Sequence, residues 1–131
     1  MFLDASAMIA VIVREEDGPA LAARLAQADR VHTSPIAIYE AVLAVARIHN
    51  TGAAGTQRIV DRFLNAVSAE IVPITAEIGR GAIEAFERYG RGRHPARLNM
   101  GDCFAYGCAR SLDVPLLFKG DDFSQTDIAV G

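Results

Sequence analysis

The sequence predicts one α/β domain in which a parallel sheet is covered by helices on both faces. Short apolar runs alternate with segments of helical periodicity, and strands separated by helices form parallel sheets buried between layers. The chain has 131 residues, of which 51% are hydrophobic and 22% charged. That size and composition suit one buried core and are unlike a disordered chain. Because neither a repeat nor a long linker divides residues 1–131, we expect a single domain.

The first half of the chain predicts two strands and three helices. Asp4 closes the first apolar run, and Leu21 and Leu25, four residues apart, give the second helix an apolar face. Ser34 and Pro35 form a good helix start, because serine caps free backbone amides and proline suits the first helical position. The predicted elements are a strand (1–3), helices (5–13 and 19–28), a strand (31–33) and a helix (35–49) that Gly52 terminates.

The second half repeats this alternation, with Thr75 as the cap of its central helix. The predicted elements are a helix (57–69), a strand (70–73), a helix (76–89), a loop (90–97), a helix (101–112), a strand (114–118) and a last edge strand (127–130). Ligands of open parallel sheets bind beyond the carboxyl ends of the strands. Residues that follow the predicted strands are therefore candidates for function.

Composition excludes several classes of protein. Thirteen Lys and Arg against sixteen Asp and Glu give a net charge of −3, so any site for a polyanion must be local. The apolar stretches are too short to cross a bilayer, and the N-terminus lacks the basic region of a secretion signal, so we expect a cytoplasmic protein. Cys103 and Cys108, five apart in one predicted helix, point to different faces, and we expect them to be reduced core thiols.

Glu40 is the residue that a structural role explains least well. It is the only charged side chain between Pro35 and Ala46, and its neighbours one helical turn away are apolar. A buried unpaired carboxylate is costly, so Glu40 must be protonated, paired with a cation or placed at the floor of a polar cleft. Arg47, two turns along the same face, can pair with Glu40 only through a long reach.

Four further acids have both a structural and a functional interpretation. Asp4 suits a helix cap, and Asp102 lies in a first helical turn, where the helix dipole stabilises a carboxylate. Asp121 and Asp122 follow a strand, where adjacent acids are common turn residues. All four, together with Glu40, also fall where the carboxyl ends of the strands and the starts of flanking helices meet.

Convergence of these acids predicts a metal site. Carboxylates gathered in one cleft repel one another and have raised pKa values unless a divalent cation neutralises them. Oxygen ligands without His or Cys at ligand spacing favour Mg²⁺ or Mn²⁺ over Zn²⁺. Such ions activate water and stabilise the leaving oxygen of a phosphodiester. We therefore expect phosphoryl chemistry.

One basic cluster lies in this acidic chain, around a glycine-containing loop just before Asp102. Twelve of the thirteen basic residues of the chain are Arg, and guanidinium groups match the geometry of phosphates. We expect the cluster to contact the phosphates of a substrate, the alternative being a solvated loop. Its members are Arg88, Arg91, Arg93, His94 and Arg97.

Four short motifs follow one another along nearly the whole chain. They are FLDASA (2–7), AIYE (37–40), LNMGDCFAY (98–106) and PLLFKGDDF (115–123). No single motif is specific, but the ordered set at this spacing closely resembles the PIN-domain toxins called VapC. The resemblance implies a three-layer α/β/α sandwich and a cluster of acids that binds Mg²⁺ or Mn²⁺ for endonucleolytic cleavage of RNA.

The resemblance also implies a role for each site residue. Asp4 and Asp102 correspond to the principal metal ligands, Glu40 to the third acid, and Ser6 to the small hydroxyl residue that follows the first acid. The family has its fourth acid just before a Phe, which points first to Asp122. Two other acids are alternatives for that position or support it: Asp121 and Asp127.

The same resemblance implies partners. VapC proteins serve as the toxin of a type II toxin–antitoxin pair, usually form homodimers, and are silenced by a VapB-type antitoxin whose C-terminal segment covers the acidic cleft. The expected partners are therefore RNA, contacted by the basic loop, the antitoxin, and a second copy of the chain. Ile9, Val13, Leu21 and Leu25 are candidates for lining an antitoxin groove, although a place in the core is the preferred interpretation.

Three other classes of protein fit less well. A phosphatase of the haloacid dehalogenase class needs a second Asp two residues after Asp4, where this chain has Ser6. A receiver domain has a late Lys such as Lys119 but needs a phosphoacceptor Asp at the end of a middle strand, and Asp61 lies in a predicted helix. The remaining alternative is a catalytically inactive PIN-like module that binds RNA or protein, and the intact set of acids argues against it.

Overall fold

The computed structural model describes residues 1–131 and contains four strands, six helices and one short 3₁₀ turn. The strands are β1 (Phe2–Leu3), β2 (His32–Thr33), β3 (Glu70–Ile71) and β4 (Leu116–Leu117). The helices are α1 (Ala5–Ile12), α2 (Gly18–Ala26), α3 (Pro35–Ile48), α4 (Ala53–Ala66), α5 (Ala76–Tyr89) and α6 (Met100–Leu112), and the 3₁₀ turn is Phe123–Gln125.

All strands are parallel and lie in the order β3-β2-β1-β4. Phe2 of the central strand stands opposite His32 on one side and Leu116 on the other. The predicted parallel sheet is confirmed, although each strand is shorter than its apolar run suggested. The predicted edge strand 127–130 is wrong, because only Val130 pairs there, through a single parallel bridge to Leu116.

Two hydrophobic clusters lie on opposite faces of this sheet. Neighbouring side chains of a strand point to opposite faces, and accordingly Phe2 and Leu116 belong to the cluster beneath α5 and α6. Leu3 and Leu117 belong to the cluster beneath α1, α2, α3 and α4. The three-layer α/β/α sandwich expected from the sequence is therefore confirmed.

Helix starts follow the predicted caps. The Ser34 hydroxyl accepts a hydrogen bond from the Ala37 amide at 3.2 Å, and the Thr75 hydroxyl accepts one from the Ile78 amide at 3.2 Å. The prediction that Gly52 ends α3 is wrong. Asn50, with φ 50°, adopts the left-handed conformation after that helix, and Gly52 is instead the N-cap of α4.

The structure also tests the predicted burial of the two cysteines and of the apolar residues of α1 and α2. Cys103 and Cys108 are buried in the cluster beneath α5 and α6, and both are free thiols that form no disulfide. Leu21 and Leu25 belong to the core, as preferred, whereas Ile9 is half-buried and lines a cleft. None of the six helices is long and apolar enough to cross a membrane.

Candidate active site

A cleft of about 580 Å³ opens at the carboxyl end of β1, between the first turns of α1 and α6 and the middle of α3. Its acidic, hydroxyl and amide lining residues are Asp4, Ser6, Glu40, Asn99, Asp102 and Asp122, and the remaining lining residues are Ala5, Ile9, Tyr39, Leu43, Ala44 and Arg47. The structure thus brings together five predicted site residues from four separate segments of the chain.

Asp4 is at once a helix cap and the deepest acid of the cleft. Its side chain is only 4% exposed, and its Oδ2 accepts hydrogen bonds from the backbone amide of Ser6, at 2.9 Å, and from the Ser6 hydroxyl. The structural and functional interpretations of Asp4 are therefore compatible. The cap fixes the carboxylate at the point where β1 ends and α1 begins.

Ser6 links this carboxylate to the end of β4. While its hydroxyl donates to Asp4, the same oxygen accepts a hydrogen bond from the backbone amide of Lys119 at 3.0 Å. The Lys119 side chain forms an ion pair with Glu15 at the end of the α1 segment. Ser6 therefore couples the first acid to the segment that carries Asp122.

Asp102 is fixed by a reciprocal pair of hydrogen bonds with Asn99. Its Oδ2 accepts from the Asn99 amide at 2.9 Å, and the Asn99 Oδ1 accepts from the Asp102 amide at 2.9 Å. This capping box holds the carboxylate in the first turn of α6. The predicted position in a first helical turn is confirmed, and the turn faces the cleft.

Glu40 reaches the cleft from the middle of α3 and lies directly against the backbone of Gly101. A Cβ atom at residue 101 would collide with both carboxylate oxygens of Glu40. The absence of a side chain at Gly101 is therefore what leaves room for this acid beside Asp102. Arg47 lies on the same cleft but forms no ion pair, so the Glu40–Arg47 salt bridge is not present.

The cleft is unfavourable to negative charge. Burial raises the pKa of Glu40 to about 7, and repulsion from Asp4 and Asp102 adds to this effect. Burial likewise raises the pKa of Asp102 to about 6, with repulsion from Asp4 and Asp122 adding to it and the Asn99 amide opposing it. The pKa of Asp4 is raised chiefly by burial as well. A cluster of acids whose pKa values are raised in this way is typical of a functional site.

The donor chemistry of the cleft fits a hard divalent cation. Every acidic or hydroxyl group that faces it offers oxygen, and its four carboxylates repel one another in the absence of a counter-charge. No group of three such side chains is drawn together tightly enough to enclose an ion without movement. An ion bound by more than two of these carboxylates would therefore need them to move closer together.

Two of the alternative acids lie outside the cleft. Asp121 is exposed and does not line it, whereas its neighbour Asp122 does and contributes to the raised pKa values of Asp4 and Asp102. Asp127 accepts hydrogen bonds from the Tyr106 hydroxyl at 2.6 Å and from Arg88 at 3.1 Å. The structure therefore places Asp127 in an interaction that ties the C-terminal segment to the helices, and does not bring it to the site.

The predicted basic loop does not line the cleft. Arg88 pairs with Asp127 and Arg93 with Glu87, each at about 3 Å, and the His94 ring accepts a hydrogen bond from the amide of Ala96. Arg97 is exposed, and only Arg91 is near enough to Asp102 to lower the pKa of that acid. The alternative of a solvated loop therefore describes most of this cluster.

Sequence reasoning missed four residues of the site: Tyr39, Arg47, Asn99 and Gly101. Asn99 and Gly101 lie within the motif LNMGDCFAY (98–106), and a glycine within a helical turn is itself a signal of close approach. Arg47 was considered only as a partner of Glu40. Tyr39 lies within the motif AIYE (37–40) beside Glu40, but the sequence gives it no role of its own.

Fold and cleft together define an α/β protein whose candidate active site is a cluster of acids at the carboxyl end of a parallel sheet. The family model described as "PIN domain" matches residues 1–129. A VapC ribonuclease of Rhizobium meliloti (strain 1021) is 38% identical over 139 aligned positions, which cover 97% of this chain and 98% of the relative. Ribonuclease VapC30 of Mycobacterium tuberculosis is 38% identical, with 98% and 96% covered.

Solved structures agree on the fold. A Mycobacterium tuberculosis VapC20 structure, titled a sarcin–ricin loop cleaving toxin, has a TM-score of 0.75 at 14% identity and covers 98% of this chain and 95% of its own. A toxin–antitoxin complex from Klebsiella pneumoniae has a TM-score of 0.70 at 17% identity, with 99% and 95% covered. The chain belongs to the PIN-domain family, and within it to the VapC ribonucleases.

Proposed function

We propose that this ribonuclease cleaves RNA by divalent-metal-dependent hydrolysis at the four-carboxylate cleft. The observation that carries the proposal is the meeting of Asp4, Glu40, Asp102 and Asp122 in one cleft. Burial and mutual repulsion raise the pKa values of three of these acids, which a divalent cation would reverse.

Asp4 and Asp102 are the residues that we infer to hold the ion, Mg²⁺ or Mn²⁺. Both line the cleft, and each is fixed by a cap interaction at the start of a helix, Asp4 at α1 and Asp102 at α6. When bound, such an ion activates water and stabilises charge on the phosphodiester. Ser6 and Asn99 orient the two carboxylates through their hydrogen bonds to Asp4 and Asp102.

Glu40 is suited to move a proton. Its carboxylate is close enough to those of Asp4 and Asp102 to be repelled by both, so it would lie beside an ion that those two residues hold. We infer that a Glu40 carboxylate oxygen accepts a proton from the attacking water or orients that water. Asp122, in the segment that follows β4, adds the fourth carboxylate to the cleft.

Hydrolysis by water requires no covalent enzyme intermediate. The hydroxyl of Ser6 is engaged on both sides, by Asp4 and by the Lys119 amide. Burial raises the pKa of the Cys103 thiol to about 11, so the thiolate nucleophile is scarce at neutral pH. A covalent adduct trapped at either residue would contradict the proposed reaction.

The relatives suggest the biological setting. One structural neighbour is named as a toxin that cleaves the sarcin–ricin loop, and the other is part of a toxin–antitoxin complex. We infer that this chain likewise acts on RNA in the cytoplasm and is held inactive by a cognate VapB-type antitoxin. Homodimer formation stays a prediction, which sedimentation of the purified chain would test.

The proposal is tested by RNA cleavage with purified protein in Mg²⁺ or Mn²⁺, with and without EDTA. We expect cleavage by the wild type with metal only, and loss of at least about a hundredfold in Asp102→Asn, which keeps the size of the side chain but removes its charge. Asp121→Asn is the matched control and should retain activity. Cleavage in EDTA, or an active Asp102→Asn variant, would refute the mechanism.

The inactive PIN-like binding module makes the opposite prediction. Such a module binds RNA or a protein partner without cleaving, and metal has no effect on the length of the RNA. Absence of cleavage by the wild type across RNA substrates, together with RNA binding that Asp102→Asn leaves unchanged, would favour it.

A further inference from the structure

Three residues of α3 form an exposed stripe beside the acidic cleft. Tyr39, Leu43 and Arg47 follow one another at intervals of four residues, so they lie on one face of the helix at steps of about 6 Å. All three line the cleft that holds the carboxylates. We call this set the α3 stripe.

Tyr39 has an exposed aromatic ring at the rim of the site. The residue is 64% exposed, and Leu43 next to it is 44% exposed, so neither side chain serves the core. Tyr39 also precedes Glu40 directly, which ties the position of its backbone to that of a catalytic acid. An aromatic ring in this position offers a flat surface to whatever occupies the cleft.

Arg47 is the only cationic side chain that lines the cleft. It takes part in none of the ion pairs, whereas Arg88 and Arg93 of the basic loop are both engaged by acids. An unpaired guanidinium at the end of the stripe is therefore available to an external anion. Its charge also opposes the repulsion between four carboxylates and a phosphate backbone.

We propose that the α3 stripe seats the RNA beside the bond to be cut, with the Tyr39 ring stacking on one nucleobase and Arg47 binding a backbone phosphate further along the strand. This inference rests on the proposed ribonuclease function of the same cleft and assigns its substrate contacts.

The stripe matches how proteins bind unpaired RNA. Bases that are splayed out of a helix stack on aromatic rings, and such stacking tolerates any base because every base has a flat face. Arg is well suited to phosphate through its planar set of donors. The Tyr39 ring lies next to Glu40, and Arg47 follows eight residues later, about 12 Å further along the helix axis. Contacts at these two points would fix the direction in which the RNA strand runs through the cleft.

The kinetic test uses a short single-stranded RNA that spans the site mapped with wild-type protein in total bacterial RNA. We expect Tyr39→Ala to raise KM roughly 5- to 100-fold with a small change in kcat, because stacking contributes to binding. Tyr39→Phe keeps the ring and should resemble the wild type, while Tyr39→Leu keeps apolar bulk and should not. Ile83→Ala, at an exposed position on α5, is the control for loss of a surface apolar group.

A substrate change separates stacking from a general loss of binding. An abasic nucleotide is placed in turn at each position around the cleavage site. At one position we expect the abasic substitution to weaken the wild type but to cost Tyr39→Ala nothing further, because the contact is already absent. Equal losses in both proteins at every position would overturn the stacking contact.

Arg47 is tested by the dependence of binding on salt, measured with the inactive Asp102→Asn protein and the same RNA. The affinity for RNA falls as salt rises, and loss of one phosphate contact on a single strand should make the slope of log affinity against log salt less steep by about 0.7 in Arg47→Gln. Arg47→Lys should restore most of the wild-type slope. An unchanged slope would overturn the phosphate contact.

The outcomes distinguish this inference from the function on which it rests. Failure of the wild type to cleave RNA would refute the proposed function, whereas normal cleavage and normal KM in Tyr39→Ala and Arg47→Gln would refute only the α3 stripe. Normal RNA kinetics together with weaker inhibition by the antitoxin would assign the stripe to the protein partner and would likewise overturn the RNA contact.

Discussion

Replacing Glu40 with Gln should inactivate the enzyme and yet stabilise the metal-free protein. The pKa of Glu40 is raised from the ordinary value of 4.5 to about 7, chiefly by burial and further by Asp4 and Asp102. A difference of about 2.5 in pKa, at about 1.4 kcal/mol for each unit, corresponds to a loss of about 3 kcal/mol in the free energy of unfolding when Glu40 is ionised in the folded protein. Glu40 is only half-buried and the repulsion is screened by salt, so we expect about 1–2 kcal/mol.

The pH dependence gives this prediction its sign. Below pH 4.5 Glu40 is protonated in both folded and unfolded states, so wild type and Glu40→Gln should differ little. As the pH rises from 4.5 to 7 the unfolded chain ionises while the folded protein retains the proton, and the wild type loses stability relative to the variant. Above pH 7 the difference should be constant.

The assay is urea unfolding between pH 4.5 and 8 in EDTA, with the free energy of unfolding as the quantity compared. Glu84→Gln, an exposed acid on α5, is the matched control. A gain of 1–2 kcal/mol corresponds to a rise in Tm of roughly 4–8 °C for a domain of this size. No gain over Glu84→Gln at pH 8, or a gain that persists at pH 4.5, would refute the account of repulsion in the cleft.

Three further predictions follow from the site and its surroundings. Asp122→Asn should reduce RNA cleavage at least about tenfold and Asp121→Asn should not, because only Asp122 lines the cleft; equal activities of the two variants in a cleavage assay would remove Asp122 from the site. Gly101→Ala should displace the Glu40 carboxylate, so we expect a large loss of kcat with a change in Tm of only a few degrees, and a fully active variant would contradict the close approach seen here. Asp127→Ala should lower the free energy of unfolding by about 1 kcal/mol through loss of its hydrogen bonds, while the kcat of the remaining folded enzyme stays normal; impaired chemistry would return Asp127 to the site.

The order of elements and the central acids were predictable from sequence for physical reasons. Alternation of short apolar runs with helical periodicity requires a parallel sheet between helices, and Ser34 and Thr75 cap their helices as their residue types predict. Glu40 was identifiable because a lone acid among apolar neighbours needs an explanation. The resemblance ranks Asp122 above Asp121, but physical reasoning from the sequence does not separate them, since adjacent residues in a turn differ in direction and only the folded chain fixes that direction.

The errors have specific causes. The sequence predicts that Gly52 ends α3 because glycine suits the left-handed conformation, but Asn50 adopts that conformation and ends the helix earlier. The basic loop is predicted from its cluster of Arg residues and its position just before Asp102, and the structure shows that Arg88 and Arg93 instead form ion pairs with Asp127 and Glu87. Arg47, the cation that does line the cleft, lies far from that cluster in sequence. Long-range pairing of charges cannot be obtained from spacing along the chain.

Diffraction from crystals grown with Mn²⁺ tests the central claim most directly, because anomalous scattering locates the ion without assumption about its ligands. We predict one Mn²⁺ or two between the carboxylates of Asp4 and Asp102, bound through their oxygen atoms, and none in crystals of Asp102→Asn. An ion bound elsewhere with this cleft empty, or the same ion retained in Asp102→Asn, would contradict the assignment of the acidic cleft as the metal-dependent active site.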